Sequence, residues 1–210
     1  EKDHLVTILT PRNLPLESEK EVFYRAKSPV RISFAGGGSD LTKFFSSNGG
    51  AVINATISLF THCTLTKNKD ESISIFSQDL DKSFHSDSLD DAEDDSGDFN
   101  LIIAVLKTIN PDFGFNLYLH SDYPINSGLG GSAVVASSIL GCFNQTRQDK
   151  WTDLEIAELA FQAERILLDL PGGWQDQYAT VIGGLNFMEF KSDENLIHPI
   201  RLKKDLLNEL

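Results

Sequence analysis

A glycine-rich loop is the part of this sequence whose residue types and spacing best suit chemistry. Residues 124–133 read Pro-Ile-Asn-Ser-Gly-Leu-Gly-Gly-Ser-Ala and lead into an apolar, helix-like stretch. Gly128, Gly130 and Gly131 allow the backbone to approach a ligand closely and to adopt positive φ angles. Such a turn at a helix N-terminus presents free N–H groups and the positive end of the helix dipole, which suits a phosphate. From the spacing alone, an ordinary loop with a helix cap at Ser132 is the alternative.

Two well-known glycine loops do not match this segment. The P-loop pattern is absent because no lysine follows Ser132. The dinucleotide-binding pattern fails because Ala133 stands where the third glycine is required. That pattern also requires an acid on a strand about 20 residues further on. The acids near that distance are Asp149 and Asp153, which lie in a polar stretch that is typical of a turn leading into a helix. If the loop binds a phosphate, it belongs to a third class.

A second candidate for chemistry is a carboxylate on an apolar helix face. The sequence Thr-Asp-Leu-Glu at 152–155 is a capping box and predicts a helix from there to about Leu168. Glu164 falls within the apolar stripe of that helix, which consists of Leu154, Ala157, Phe161 and Leu168. A carboxylate on a buried face is costly unless it is paired, protonated or bound to a metal. A structural ion pair with a base such as Arg165 and a metal site are both open.

The charge distribution is dominated by one acidic run. The chain of 210 residues has a formal net charge of −13, and seven acids with no base lie between residues 87 and 98. We expect a solvated loop there, with a cation site as the alternative, although the spacing is not that of an EF-hand. The acidic balance argues against binding of nucleic acid, which needs basic patches.

The composition is that of a globular protein, with 40% hydrophobic and 23% charged residues. No apolar run approaches the roughly 18 residues of a membrane span, and the first residues lack the apolar core of a signal peptide. Cys63 and Cys142 lie in apolar contexts and fit two free thiols better than a disulfide. A cytoplasmic location, with no membrane partner, is therefore expected.

Several elements must position these candidates. Apolar alternation predicts strands at 25–34, 72–77 and 113–121, β-branched residues predict one at 51–66, and the Gly183-Gly184 pair leads into another at 185–190. Helices are predicted at 100–109 and 133–143 besides the one that begins with the capping box, and a short helix at 175–180. In the first strand Val30, Ile32 and Phe34 should share one face, and the long second strand should break near Ser58. Strands followed by helices suggest an α+β or mixed α/β domain.

These motifs together resemble those of the GHMP kinases. The loop at 124–133 is similar to the family's phosphate loop, usually Pro-x-x-x-Gly-Leu-x-Ser-Ser-Ala. Residues 26–40, Ala-Lys-Ser-Pro-Val-Arg-Ile-Ser-Phe-Ala-Gly-Gly-Gly-Ser-Asp, resemble the first family motif. Glu164-Arg165 and the segment Gly-Gly-Trp-Gln-Asp-Gln-Tyr-Ala at 172–179 resemble the helix acid and the catalytic-acid segment. The motifs are most similar to those of D-glycero-D-manno-heptose 7-phosphate kinase and related sugar kinases.

The resemblance implies a fold and a domain organisation. The expected fold is α+β, the GHMP kinase N-terminal domain of the ribosomal protein S5 domain 2-like type. Residues 25–200 would form this ATP-binding domain, and residues 1–24 an N-terminal arm or linker. Residues 201–210 would begin the connection to a C-terminal lobe that this sequence lacks, and the N-terminal lobe is expected to be inactive alone.

The resemblance also implies roles for individual residues. The ATP phosphates would be held by Pro124, Ser127, Gly128, Leu129, Gly130, Gly131, Ser132 and Ala133. Mg²⁺ would be bound by Ser132 and Glu164. Asp176 would be the catalytic base or would orient the substrate, and Arg31 would lower the pKa of the acceptor hydroxyl or stabilise the transferring charge. The sugar would be bound by Gly36, Gly37, Gly38, Ser39, Asp40, Gly172 and Gly173. Two departures are Gly131, where a serine is common, and the bulky Trp174, which could reshape the sugar pocket.

The expected activity is ATP-dependent phosphorylation of a small-molecule sugar or sugar phosphate. D-glycero-D-manno-heptose 7-phosphate, phosphorylated at its anomeric hydroxyl, is the leading candidate. One alternative is an L-fucose-type kinase, as part of a bifunctional protein. Another is a non-catalytic sugar- or nucleotide-sensing module. An RNA-binding domain on a similar scaffold is disfavoured by the acidic surface. The oligomeric state is left open.

Overall fold

A computed structural model describes residues 22–92 and 97–202 of the chain. The described strands are β1 (Phe23–Ala35), β2 (Gly50–Lys67), β3 (Ile73–Ser77), β4 (Lys82–Ser86), β5 (Phe115–Ser121), β6 (Leu185–Phe190) and β7 (Asn195–Ile200). The α-helices are α1 (Thr42–Asn48), α2 (Asn100–Ile109), α3 (Gly131–Thr146), α4 (Asp153–Phe161) and α5 (Gln175–Ile182). A 3₁₀ turn at Gly97–Phe99 precedes α2, and a π-helical segment at Gln162–Leu167 continues α4.

The described strands form a single sheet around the long strand β2. Its order is β4-β3-β5-β2-β6-β7, and β1 also pairs with β2 along most of its length. β5 pairs with residues 61–67 of β2, and β6 pairs with residues 50–55, so that two strands divide the length of β2 between them. All pairs are antiparallel except β3 with β5.

The sequence predicted a break in β2 near Ser58. The structure shows instead that β2 continues through this point with a bulge. Pro29 of β1 pairs with Phe60, whereas Arg31 pairs with Thr56, so three residues of β2 lie opposite Val30. A bulge of this kind bends a strand without ending it.

A further register shift near the end of β1 corrects the prediction for its buried face. It lies between Ser33 and Ala35, within the stretch that carries Phe34. Val30 is fully buried and Ile32 half-buried, but Phe34 is 57% exposed. Alternation alone could not show that the register changes within the strand.

The helices cover one face of the sheet. α3 packs against β1 and β2, and α2, α4 and α5 pack against α3. Apolar side chains of the sheet and of α3 are fully buried between these layers, among them Leu65, Leu117, Ile139, Leu140 and Phe143. On the other face, Phe76 and Tyr118 are exposed and stack on each other with ring centroids 4.9 Å apart. This is the pattern of a sheet with one covered and one open face, and it agrees with the expected mixed fold.

Most predicted helices are confirmed, with two local corrections. The capping box of α4 is present, since Thr152 Oγ1 accepts from the Glu155 N–H and the Glu155 carboxylate accepts from the Thr152 N–H. The helix that was expected to run on regularly to Leu168 changes to π-helical winding after Phe161. α3 begins at Gly131, and its N-cap residue is Gly130 in the left-handed region rather than Ser132.

Both cysteines are free and buried, as predicted. The Cys142 thiol donates to the carbonyl oxygen of Cys63 at 3.1 Å, and burial raises the pKa of the Cys63 thiol well above its ordinary value. Across residues 22–92 and 97–202, the structure contains no helix with the length and apolar character needed to cross a bilayer.

The predicted arm and the acidic run lie partly outside the described residues. Of residues 1–24, only the last three are described, and two of them belong to β1. Of residues 201–210, only the first two are described. Within the acidic run, residues 93–96 lie outside the description, while Asp91 pairs with the Ser88 hydroxyl and Asp98 with Lys82. The solvated-loop interpretation of the whole run stays a prediction.

Candidate functional site

The glycine-rich loop lies between β5 and the N-terminus of α3. Gly128 and Gly130 have φ angles of 74° and 79°, a conformation that favours glycine. No described side chain caps α3, so the first N–H groups of this 16-residue helix are available to a ligand. The positive end of the helix dipole adds to their attraction for an anion. The local geometry of the loop is thus compatible with the predicted phosphate binding, which stays a prediction.

Arg31 and Asp176 form an ion pair against this loop. Arg31 Nε and Nη2 both lie 2.7 Å from Asp176 Oδ1, and Arg31 Nη1 donates to the Gly128 carbonyl oxygen at 3.2 Å. The backbone N–H of Arg31 donates to Leu129 O at 3.3 Å. Asp176 Oδ2 would lie 3.1 Å from a Cβ placed on Gly130. The structure thus joins β1, the loop and α5, which were predicted from three separate motifs.

Glu164 lies in the π-helical segment and is fully buried. Its Oε2 accepts a hydrogen bond from Gln177 Nε2 at 2.6 Å, while Oε1 has no hydrogen-bond partner within the described ranges. Arg165 Nη1 stands 3.6 Å from Oε1, at ion-pair distance. Burial raises the pKa of the Glu164 carboxyl, and the Ser132 hydroxyl, Arg165 and Gln177 oppose that rise. Single turns of π-helix occur often at functional sites.

The donor set around Glu164 fits Mg²⁺. The orphaned carboxylate oxygen and the nearby Ser132 hydroxyl are hard oxygen ligands of the kind this ion prefers. In the described part of the chain, no group of three or more His, Cys, Asp or Glu side chains could hold a metal alone. Mg²⁺ usually takes only one or two protein ligands and completes its shell with waters and substrate phosphates. The contact between Glu164 and Arg165 therefore does not exclude Glu164 as a metal ligand.

The first predicted motif turns tightly against β2 and α5. Asp40 is buried, and its two carboxylate oxygens accept from the N–H groups of Gly38 and Gln175, each at 3.0 Å. It therefore caps the start of α5, whereas α1 has no side-chain cap. Ser39 binds the backbone of Ala51 through its hydroxyl.

Two glycines of these motifs stand where a side chain cannot fit. A Cβ on Gly36 would lie 1.8 Å from the Ala51 carbonyl oxygen, so this turn can approach β2 only without a side chain. A Cβ on Gly173 would lie 2.1 Å from Asp40 Oδ2. The glycines thus allow the first motif to pack closely against both β2 and the segment before α5.

Two cavities meet at the Arg31–Asp176 pair. The polar cavity, of about 790 Å³, is bordered by the predicted sugar-binding residues Gly37, Gly38, Asp40, Gly172 and Gly173. The apolar cavity, of about 570 Å³, is bordered by Ser127, Gly128, Gly130, Gly131 and Ser132 of the loop. Arg31, Gly128, Ser132 and Asp176 border both. Leu129 borders the polar cavity, whereas Pro124, Ala133, Gly36 and Ser39 border neither.

Comparison with known proteins shows which family this domain belongs to. Residues 100–184 match the family model of the GHMP kinases N terminal domain. The chain is 37% identical over 192 residues to a D-glycero-alpha-D-manno-heptose 7-phosphate kinase from Campylobacter jejuni, a match that covers 89% of the chain and 56% of that relative. The chain carries a GHMP kinase N-terminal domain.

Further relatives are also sugar kinases. An L-fucokinase/L-fucose-1-P guanylyltransferase from Bacteroides fragilis is 30% identical over 208 residues, covering 86% of the chain and 21% of that protein. The crystal structure of a D-glycero-D-manno-heptose 1-phosphate kinase from Bacteroides thetaiotaomicron superposes with a TM-score of 0.83 at 33% identity, over 90% of the chain and 63% of that structure. The chain thus spans less than two thirds of the length of each of these relatives.

The apolar cavity of this GHMP kinase domain was missed by sequence reasoning. Its apolar wall comes from the loop before β4, from α2, from β5 and the residues after it, and from α3: Leu80, Leu101, Ile102, Leu119, Tyr123 and Val135. In the sequence these residues look like any others of an apolar core, so no signal marked them. Gln177, which binds Glu164, was also missed, although it belongs to the Gln-Asp-Gln-Tyr segment.

Trp174 does not take the position that the sequence suggested. Its ring stacks on Phe161 with centroids 3.5 Å apart and nearly parallel planes, and its Nε1 donates to Thr42 Oγ1 at 3.1 Å. It does not border the polar cavity. In this GHMP kinase domain Trp174 therefore ties the end of α4 to the start of α5 instead of shaping the pocket.

Proposed function

We propose that this domain is the ATP-binding part of a kinase that phosphorylates a sugar or sugar phosphate. The leading acceptor is D-glycero-D-manno-heptose 7-phosphate, with its anomeric hydroxyl as the attacking group. The observation that carries the proposal is the Arg31–Asp176 ion pair, which stands where the two cavities meet and contacts the phosphate loop. In phosphoryl transfer, a carboxylate that accepts or orients the hydroxyl proton and a positive charge that stabilises the transferring group lie between the nucleotide and the acceptor.

The phosphate side of the site is formed by backbone and helix dipole. The free N–H groups at the start of α3 would bind the ATP phosphates, with the adenosine in the apolar cavity. Ser132 and Glu164 would hold Mg²⁺, which neutralises charge on the transferring phosphate. Because Gln177 already binds Glu164 Oε2, the carboxylate is held with Oε1 free of hydrogen bonds from the described residues and 3.6 Å from Arg165 Nη1.

The acceptor side is formed by the ion pair. Arg31 occupies Asp176 Oδ1 and leaves Oδ2 directed at the loop near Gly130. As the acceptor oxygen bonds to the γ-phosphorus and the bond to the ADP oxygen breaks, the hydroxyl proton passes to Asp176 Oδ2. Arg31 both orients this carboxylate and adds positive charge where negative charge develops.

The test is ADP release by the complete protein with Mg-ATP and a panel of sugars. The panel contains D-glycero-D-manno-heptose 7-phosphate, L-fucose and galactose. Asp176→Asn should abolish turnover and leave ATP binding unchanged, because the amide cannot accept the proton. Asp153→Asn, an exposed acid on α4, is the control and should keep full activity. Normal turnover by Asp176→Asn would refute the assignment.

The same panel separates the alternatives. Turnover of L-fucose in preference to the heptose phosphate favours the fucose-type kinase, which the 30% identity to the Bacteroides fragilis protein supports. Binding of ATP without ADP release from any sugar favours a sensing module.

A further inference from the structure

The polar cavity contains a charged side chain that the proposed chemistry does not use. Four charged residues of the described chain border this cavity: Arg31, Asp40, Arg165 and Asp176. Arg31 and Asp176 neutralise each other, and both oxygens of Asp40 accept backbone hydrogen bonds. Arg165 is the remaining charge.

The guanidinium of Arg165 is enclosed but incompletely partnered. Its side chain is only 11% exposed, and its Nε is buried without a hydrogen-bond partner among the described residues. The contact from Nη1 to Glu164 Oε1, at 3.6 Å, is longer than a hydrogen bond. Nε itself is enclosed, but an incompletely partnered guanidinium at the cavity wall favours a ligand that supplies acceptors to its other N–H groups.

Gly172 provides the space for this guanidinium. A Cβ at position 172 would lie 2.5 Å from Arg165 Nη2 and 2.7 Å from Cζ. The Gly172 φ of 150° is also one that other residues rarely adopt. The glycine therefore lets Arg165 lie directly against the backbone, at the wall of the polar cavity, and the segment Leu170–Pro171 borders the cavity beside it.

The position of Arg165 indicates what it recognises. It borders the polar cavity and not the apolar cavity, so within the described chain it faces the acceptor side of the ion pair. A guanidinium presents paired N–H donors that match a phosphate group. Resting on the proposed function, we infer that Arg165 binds an anionic phosphate group of the acceptor, and that the acceptor is a sugar phosphate rather than a neutral sugar.

The test compares two acceptors that differ only by a phosphate. Binding of D-glycero-D-manno-heptose 7-phosphate and of the unphosphorylated heptose to the complete protein is measured by calorimetry without nucleotide, and KM values are measured with Mg-ATP. Arg165→Gln should weaken binding of the heptose phosphate roughly tenfold or more, the scale of a charged hydrogen bond. It should leave the KM values for ATP and for the neutral heptose unchanged. Arg165→Lys, which keeps the charge, should recover part of the affinity.

Two controls keep the result interpretable. Arg25→Gln, on an exposed arginine of β1, should change none of these constants. Thermal unfolding of Arg165→Gln and Arg165→Lys shows whether loss of the Glu164 contact has unfolded the domain, and Arg165→Lys remains informative if Arg165→Gln is unstable.

The outcomes also separate this inference from the proposed function. An equal loss of kcat with both acceptors would overturn it, because Arg165 would then act on the transferring phosphate or on Glu164. Equal affinity of wild type and Arg165→Gln for the heptose phosphate, or no binding by wild type, would overturn it as well. If no sugar is turned over, the proposed function fails, but the calorimetric comparison still decides the phosphate site.

Discussion

The polar and apolar cavities share four residues of their walls but are built in different ways. The polar cavity depends on charges and on glycines that leave room for them, such as Gly172 beside Arg165 and Gly173 beside Asp40. The apolar cavity takes its apolar wall from side chains on four separate parts of the fold. The first can be described by short motifs, whereas the second exists only when the sheet and helices have packed.

The difference agrees with the proposed division of the site between a nucleotide and an acceptor. Charged groups need fixed partners at hydrogen-bond distance, so their positions are constrained by short segments such as 172–176. An apolar wall needs only shape and a dry surface, so many sequences can supply it. Variants on the shared wall should therefore disturb both cavities, and variants on one side should disturb only that side.

The largest effect is expected at Gly130, on the shared wall. Gly130→Ala places a Cβ 3.1 Å from Asp176 Oδ2 and 3.5 Å from the Arg31 guanidinium carbon, so the Arg31–Asp176 pair has to shift by a few tenths of an ångström. Displacement of reacting groups by about 1 Å can cost on the order of 10²-fold in rate, so a smaller shift costs less. Together with the strain of a left-handed alanine in the loop, we expect a loss of more than about tenfold in kcat/KM for both ATP and the acceptor, measured by ADP release.

Gly128→Ala is the matched control for this prediction. Gly128 has a similar φ of 74°, but a Cβ there would meet nothing within 4 Å. Both variants carry the cost of a left-handed alanine, about 1–2 kcal/mol. Only Gly130→Ala disturbs the ion pair, so equal kcat/KM values for the two variants would contradict the proposed arrangement.

The same distinction explains which features were predictable from the sequence. Alternation predicted the strands that have one buried face, such as β3 and β5, because burial imposes a period of two. β4 and β7 were missed because they lie at the ends of the sheet and contain no fully buried side chain: β4 is mostly polar, and β7 carries a proline, so neither shows a clear alternation. The order of the strands and the bulge opposite Val30 depend on long-range pairing, which alternation does not encode.

The candidate site was predictable only in part for the same reason. Glu164 was detected because a carboxylate on an apolar stripe is costly, and the glycine loop because its composition is unusual. Asp40 caps α5 from a distant part of the sequence, and Arg165 packs against Gly172 only after the chain has turned at the end of the π-helical segment. Neither is visible in the local sequence.

A smaller and one-sided effect is expected in the apolar cavity. Leu101 on α2 is half-buried and borders this cavity but not the polar one. Leu101→Ala removes apolar surface against which the nucleotide would pack, a loss of roughly 1–2 kcal/mol, or about tenfold in KM for ATP. The KM for the acceptor should not change. Leu154→Ala, on a leucine of α4 that is 50% exposed, is the control. An equal rise of both KM values would show that the cavities do not divide their tasks.

The smallest effect, and the one that tests the metal side, is the pH dependence of stability in Glu164→Gln. Burial raises the pKa of Glu164 above its ordinary value of 4.5, so the folded state holds this proton more tightly than the unfolded state. The contribution of Glu164 to stability is then fully present below pH 4.5 and is lost as the pH rises through the higher pKa of the folded state. In the presence of a chelator, the wild type should therefore lose stability relative to Glu164→Gln as the pH increases.

Glu164→Gln keeps the shape of the side chain, and after a flip of the Gln177 amide one N–H of residue 164 can donate to Gln177 Oε1, which lacks a partner in the described structure. We expect the Tm of the variant minus that of the wild type to be more positive at pH 8 than at pH 5, by roughly a few degrees. Its turnover should fall because the amide binds Mg²⁺ weakly. A buried group that destabilises the free protein and is needed only with ligand is a mark of function rather than of structure. A Tm difference that does not vary with pH would instead show that Arg165 fully compensates Glu164, which would then be a structural ion pair.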